Sequence, residues 1–291
     1  MATETSAPRR INLVRIAHVL YTHKNEANAK AFLDDFGFQE VSRAGANTYY
    51  RGTSGEPFVY RLTAGDEDFF GGAAFVVESR EDLDYAAQTL PNATAVHEMT
   101  EEPGGGFRVT FYDPVDGFPF HLVYGQAQVD PSDAGLLQRR FNFAYDFYTT
   151  RFNFFPSDIS LLKLIHDPTG RNITTFLHLD RGEELVDHHC FFFFEGPKYH
   201  VHHSSYETYD FDTQLLGHDW LRSKGYENCW GVGRHIMGSQ IFDYWFDPSR
   251  FVLEHYVDGD LVNSSYATNK SLASPDSLHI WGPDVPAGFL E

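Results

Sequence analysis

Glu254 stands in the middle of an apolar run, Phe251 to Val257. Strand alternation puts it on one face with Val252 and Tyr256. A lone buried carboxylate is costly. Glu254 must therefore pair with an Arg or His, accept hydrogen bonds, or bind a metal. Residues that could join it recur nearby. His202-His203 opens one strand, and His188-His189 opens another, Cys190 to Phe194. Gly233-Arg234-His235 lies in a loop after Trp230, and Tyr244 follows just before an Asp-Pro turn. Such a set can hold a divalent cation through imidazole and carboxylate, and it can move protons through neutral imidazole. The chain has 15 His, so a single His on a strand reads first as structural.

The elements that must position these residues repeat along the chain. Asn25 to Phe38 reads as an amphipathic helix ending in Phe36-Gly37-Phe38, and Ala144 to Phe154 reads as its counterpart, ending in Phe152-Asn153-Phe154. Phe111-Tyr112-Asp113-Pro114 turns into the strand Phe118 to Tyr124. Trp245-Phe246-Asp247-Pro248 turns likewise into Phe251 to Val257. The strand Gly72 to Glu78 precedes a helical stretch, Arg80 to Leu90. His202 to Thr208 precedes Phe211 to Lys224 in the same order. Each half reads as two βαβββ modules, an α+β pattern. The expected domains are 10–125 and 141–262, joined by the polar stretch Gly125 to Arg140. A Ser-, Pro- and Gly-rich tail, 263–291, is expected to wrap the surface.

Bulk properties exclude several classes. Lys and Arg total 22 against 41 Asp and Glu, a net charge of −19, which excludes a nucleic-acid or anionic-membrane footprint. Phe and Tyr number 27 and 16, favouring strands and flat apolar pockets. Cys190 and Cys229 have no CxxC partner, and Met1 to Arg10 has no apolar signal core. No apolar run approaches the ~20 residues of a membrane helix. A reducing, cytoplasmic setting fits.

The order His-His strand, Gly-Arg-His loop, Tyr244, Asp247-Pro248, then Glu254 resembles the C-terminal half of the type I extradiol dioxygenases. These are the catechol 2,3-dioxygenase and dihydroxybiphenyl dioxygenase group of the vicinal-oxygen-chelate superfamily. The resemblance covers about residues 10 to 260 and is most specific from Trp230 to Glu254. The ending Ile280-Trp281-Gly282-Pro283 is also similar to tails in part of this group. The resemblance implies two domains with cupped mixed sheets, the second carrying the metal. It implies Fe(II), with Mn(II) as an alternative, and a small aromatic diol and O₂ as substrates. It also admits a homo-oligomer. Residue by residue, His203 and Glu254 match metal ligands, and His189 matches the acid–base His, with His188 one step away. His235 and Tyr244 match residues that hydrogen-bond substrate or oxygen. Arg250 departs from the small turn residue usual there.

One ligand is missing. The family's third ligand is a His on the first strand of the C-terminal half. The helix ends Phe36 and Phe152 stand 152 − 36 = 116 apart, which carries His18 of the N-terminal first strand to Ala134. The surroundings of Ala134 do not read as a strand, and Gln126 to Phe143 contains no His. The first ligand strand therefore reads as absent. A coding segment is lacking, or a substitute such as His200, His255 or water is recruited, or iron chemistry is lost. The N-terminal half has Phe120 opposite Glu254 and Ala73-Ala74 opposite the His pair, so His18 reads as structural. Two other readings stand beside the dioxygenase: a non-catalytic aromatic-ligand module of the bleomycin-resistance type, and a metal-dependent isomerase or lyase.

Overall fold

The structure, a computed structural model, describes residues 9–114, 117–130, 137–146, 159–196, 200–274 and 278–289, with the backbone alone for 137–146 and 159. Its first half runs β1 (Leu13–His23), α1 (Glu26–Phe36), β2 (Gln39–Ala44), β3 (Asn47–Arg51), β4 (Tyr60–Ala64), β5 (Phe69–Val77), α2 (Arg80–Thr89), β6 (His97–Glu98), β7 (Phe107–Tyr112) and β8 (Pro119–Tyr124). The second half runs β9 (Leu137–Asp146), β10 (Ile159–His166), β11 (Asn172–Leu179), β12 (Val186–Asp187), β13 (Phe191–Phe194), β14 (Val201–Thr208), α3 (Phe211–Ser223), β15 (Asn228–His235), β16 (Ile241–Phe246) and β17 (Val252–Val257). The tail adds β18 (Leu261–Val262), β19 (Asn269–Leu272) and β20 (His279–Trp281). No described helix is long and apolar enough to cross a membrane.

The repeat is visible in the topology. The first sheet has the order β2-β3-β4-β1-β5-β8-β7-β6, and the second has β19-β10-β11-β13-β9-β14-β17-β16-β15-β20. Without its two edge strands, the second order matches the first strand for strand. In each sheet the opening strand lies between a parallel and an antiparallel neighbour, β4 and β5 for β1, β13 and β14 for β9. The tail does more than wrap the surface, since β19 and β20 pair with β10 and β15 and extend both edges of the second sheet.

Two expectations need correction. The second sheet has its opening strand, β9, so that strand is not missing. Ala144 to Asp146, expected to begin a helix, form the end of β9 instead. The expected helix end, Phe152, and Ala134 lie outside the described residues. The reason is periodicity: Phe141, Phe143 and Tyr145 alternate with period two, which is the signature of a strand. The register also corrects the position equivalent to His18. His18 pairs with Ala74, five residues before the N-cap Ser79 (79 − 74), and Asn142 pairs with Ser205, five before the N-cap Asp210 (210 − 205). The equivalent place therefore falls within β9, at Phe141–Asn142, and not at Ala134. What β9 lacks is a histidine.

The halves meet through aromatic side chains. Phe75 and Phe120 of the first sheet contact Phe191 of the second, at ring-centroid distances of 6.0 and 5.9 Å. Phe36, at the C-terminus of α1, stacks on His255 of β17 at 3.7 Å, and its carbonyl accepts from His255 Nε2 at 3.0 Å. Gly37 follows with φ 108°, the left-handed cap that ends α1 at the interface. Phe36 is 2% exposed. We expect Phe36→Ala to lower unfolding free energy by about 3–5 kcal/mol in denaturant titrations. A loss below about 1 kcal/mol would contradict a packed interface there.

Candidate functional site

β17 sets the first functional side chain. The Asp247 carboxylate accepts from the backbone N–H of Ser249 at 2.8 Å and of Phe251 at 2.9 Å, closing the turn from β16. Arg250 takes the left-handed conformation within it, with φ 70°. That turn fixes the register in which Tyr244 lies opposite Glu254, and β14 places Ser205 beside Glu254. Glu254, Tyr244 and Ser205 thus occupy one row across the sheet. Alternation turns the next residue, His255, the other way, onto Phe36. His255 is therefore not a substitute ligand.

β14 supplies the histidine pair, and a bulge explains how both reach the site. Val201 pairs with Tyr145 and His203 with Ala144, so His202 is an extra residue with no opposite number on β9. Regular alternation would send His202 and His203 to opposite faces. The bulge brings both rings to one cavity, with their Nδ1 atoms 2.5 Å apart. His203 Nε2 faces Glu254 Oε2 at 3.4 Å. The Ser205 hydroxyl donates to the same carboxylate oxygen.

A cavity of about 410 Å³ opens in front of these groups. His189, His203, His235, Tyr244 and Glu254 all line it, so one space collects every site residue expected from the sequence. His189, not His188, faces the cavity, while His188 Nδ1 lies 3.0 Å from His189 Nδ1 behind it. His235 Nε2 lies 2.9 Å from the Tyr244 hydroxyl. Arg234, beside His235, points away and donates to the Ser239 carbonyl at 2.7 Å and to Asp258 at 2.9 Å. His200 is not among the lining residues. Phe176, Phe192, Trp230 and Phe289 add flat apolar walls suited to an aromatic ring.

Burial governs the protonation states. It holds His189 and His203 well below the usual imidazole range, and it pushes His235 down to about 4. It pushes the Glu254 carboxyl up to about 8, against the opposing pull of the hydrogen bond from Ser205. The histidines therefore offer neutral nitrogen lone pairs. His203 and Glu254 present two acceptors to each other, a pair that a shared proton or cation satisfies. Such a set can chelate a divalent ion and take a proton from a bound hydroxyl.

Among the described residues, no set of three His, Cys, Asp or Glu side chains could hold a metal ion. Ala144 lies opposite His203 on β9, and Asn142 lies opposite Ser205. Sequence reasoning missed Ser205 and Phe289, and it gave His202 no role of its own. The run His202-His203-Ser204-Ser205 carried a signal for Ser205 through alternation with His203. The bulge and the tail contact carried none.

Comparisons with known proteins give the following. No family model matches the chain. Metapyrocatechase 2 of Cupriavidus necator is 32% identical over 120 residues, a stretch that is 41% of this chain and 37% of that relative's length. A tyrosine-to-phenylalanine variant of homoprotocatechuate 2,3-dioxygenase from B. fuscum matches with a TM-score of 0.83 at 18% identity, covering 97% of this chain and 82% of the other. The complex of that dioxygenase, from Brevibacterium fuscum, with 3,4-dihydroxyphenylacetate matches at 0.80 and 18%, covering 99% and 94%. The Mn(II)-bound glyoxalase from Novosphingobium aromaticivorans matches at 0.80 and 22%, covering 96% and 94%. At these identities the structural likeness is one of fold.

Proposed function

We propose that this chain, which has the vicinal-oxygen-chelate fold, is an extradiol dioxygenase that cleaves the ring of a catechol-type diol with O₂ at a non-haem Fe(II) site. Mn(II) is the alternative ion. The observation that carries the reading is the facing pair His203 Nε2 and Glu254 Oε2, 3.4 Å apart, in one cavity with His189, His235 and Tyr244. The sequence likeness to a metapyrocatechase and the fold shared with homoprotocatechuate dioxygenase support it. The cytoplasm is the proposed setting, in keeping with free Cys190 and Cys229. Assembly into a homo-oligomer belongs to the same proposal.

The donor pair fits a divalent cation: one neutral imidazole and one carboxyl, both buried and both facing the cavity. His203 and Glu254 would hold it. β9 has no His in its sequence. Bound Fe(II) supplies the redox partner that O₂ requires and acidifies the catechol hydroxyls. The chain's own residues do the rest. Phe176, Phe192 and Trp230 wall the cavity and hold the flat ring. His189 is kept neutral by burial, and with its proton on Nδ1, donated to His188 Nδ1, it presents a bare Nε2 to take a hydroxyl proton. The Tyr244 hydroxyl, held by His235 Nε2, orients the substrate oxygens. The apolar walls keep bulk water from the reacting centre.

The test is anaerobic Fe(II) loading of purified protein, then addition of catechols and O₂. Oxygen uptake with a yellow ring-opened product is expected. Catechol binding that survives chelator, with no oxygen uptake, would mark the cavity as a binding module instead.

The raised Glu254 carboxyl gives a pH prediction. Metal must displace its proton, so apparent affinity for Mn(II) should weaken about tenfold for each pH unit below about 8 and level off above it. The same group contributes to metal-free stability while protonated. That contribution is full below the ordinary carboxylate range and is lost as pH rises through about 8. Calorimetric Mn(II) titrations between pH 6 and pH 9 check the first statement. An affinity that does not change with pH would contradict it.

A further inference from the structure

We infer that His202 is a positioning residue: through it, the backbone carbonyl of Phe289 fixes which nitrogen His203 turns bare toward Glu254. The inference rests on the reading of His203 as a metal donor.

The argument starts from a group that can only accept. The Phe289 carbonyl lies 2.5 Å from His202 Nε2, so that nitrogen carries the proton. His202 is buried among Phe194, His203 and Phe289, where an uncharged ring is favoured. A neutral ring with its proton on Nε2 has a bare Nδ1. That atom faces His203 Nδ1 at 2.5 Å, so His203 must donate from Nδ1. His203 Nε2 is then left as the lone pair facing Glu254 Oε2. Metal-ligating imidazoles are commonly oriented by a donor bond from the other ring nitrogen to an acceptor. Here the acceptor is a second histidine, polarised by the far end of the chain. The bulge at His202 makes the contact feasible, because regular alternation would turn that ring away.

The tail repeats the device next door. The Leu278 carbonyl lies 2.8 Å from His235 Nδ1, which must therefore carry the proton. His235 Nε2 is left to accept from the Tyr244 hydroxyl at 2.9 Å. Trp230 Nε1 donates to the Pro283 carbonyl at 2.9 Å, and Phe289 packs on Trp230 and Tyr244 at 4.8 and 5.1 Å. Those contacts hold the two carbonyls in place over the cavity.

The test reads the tautomers directly. Long-range ¹H–¹⁵N spectra of metal-free, full-length protein should show His203 protonated on Nδ1. His202→Gln keeps both halves of the relay, an amide N–H for Phe289 and an oxygen for His203 Nδ1, and should keep that tautomer. His202→Leu removes the relay and should shift the His203 proton to Nε2, toward Glu254. Mn(II) affinity should fall about 10–100-fold in His202→Leu but stay within about threefold in His202→Gln. Wild-type His203 protonated on Nε2 would overturn the inference without any variant, even if His202→Leu fails to fold. So would equal Mn(II) affinity in the Leu and Gln variants. A tautomer that switches as described, in proteins that bind no Mn(II) at all, would sink the metal reading and leave the relay standing.

Discussion

Glu254→Gln is expected to lower Mn(II) or Fe(II) affinity by more than about 100-fold, beyond the usual cost of losing an outer-shell partner. The fold should survive. In metal-free protein the carboxyl is neutral up to about pH 8, and a neutral amide reproduces its shape and can still accept from Ser205. The melting temperature near pH 7 should therefore change little, because no buried charge is removed. What disappears is the negative charge that a cation draws out once the proton leaves. Metal titration followed by electron paramagnetic resonance, beside a thermal melt, separates the two effects. Wild-type affinity in the Gln variant would mean that the ion binds elsewhere.

His189→Ala is expected to lower ring-cleavage turnover about 10²–10⁴-fold while leaving metal affinity near wild type. The two expectations rest on different positions in the site. His203 and Glu254 face each other across 3.4 Å, whereas His189 enters from the loop ahead of β13 and meets Phe176 at 5.1 Å and Phe192 at 6.0 Å. Its ring borders the space a substrate would fill. His188→Ala should cost less, since His188 only backs the ring of His189. Steady-state kinetics with a catechol, paired with metal content, checks both variants. Equal losses in the two would point to a damaged loop rather than to a proton acceptor.

The parts of the site legible in the sequence are those that local rules determine. Glu254 follows an Asp-Pro turn on an alternating strand, so its face could be read before any coordinates. Tyr244, His235 and His189 stood out as candidates in the sequence, with their roles taken from the resemblance, and the structure lines one cavity with all three. The topological duplication was visible as paired helix ends and paired Asp-Pro turns. β9 was misread. Phe141 to Asp146 carries aromatics at spacings compatible with both a strand and a helix, and alignment on Phe36 and Phe152 favoured the helix. Sheet pairing decided the matter, because β9 sits between β13 and β14 and completes both ladders. The bulge at His202 left no mark in the sequence, since it depends on the register of β14 against β9. The tail contacts are of the same kind: nothing near Phe289 in the chain announces a partner at His202.

On the proposed reading His203 and Glu254 would hold the ion, and the groups that orient them count with it. Ser205 holds the Glu254 carboxyl, and His202 holds the His203 ring. Both side chains of the pair are buried as well as held by these neighbours.

The most direct test is anomalous diffraction from crystals grown with Mn(II). One strong peak is expected in the cavity, about 2.0–2.5 Å from both His203 Nε2 and a Glu254 oxygen, the span of ordinary metal–ligand distances. A cavity empty of anomalous signal, or a peak bound by other side chains while His203 and Glu254 remain in mutual contact, would contradict it.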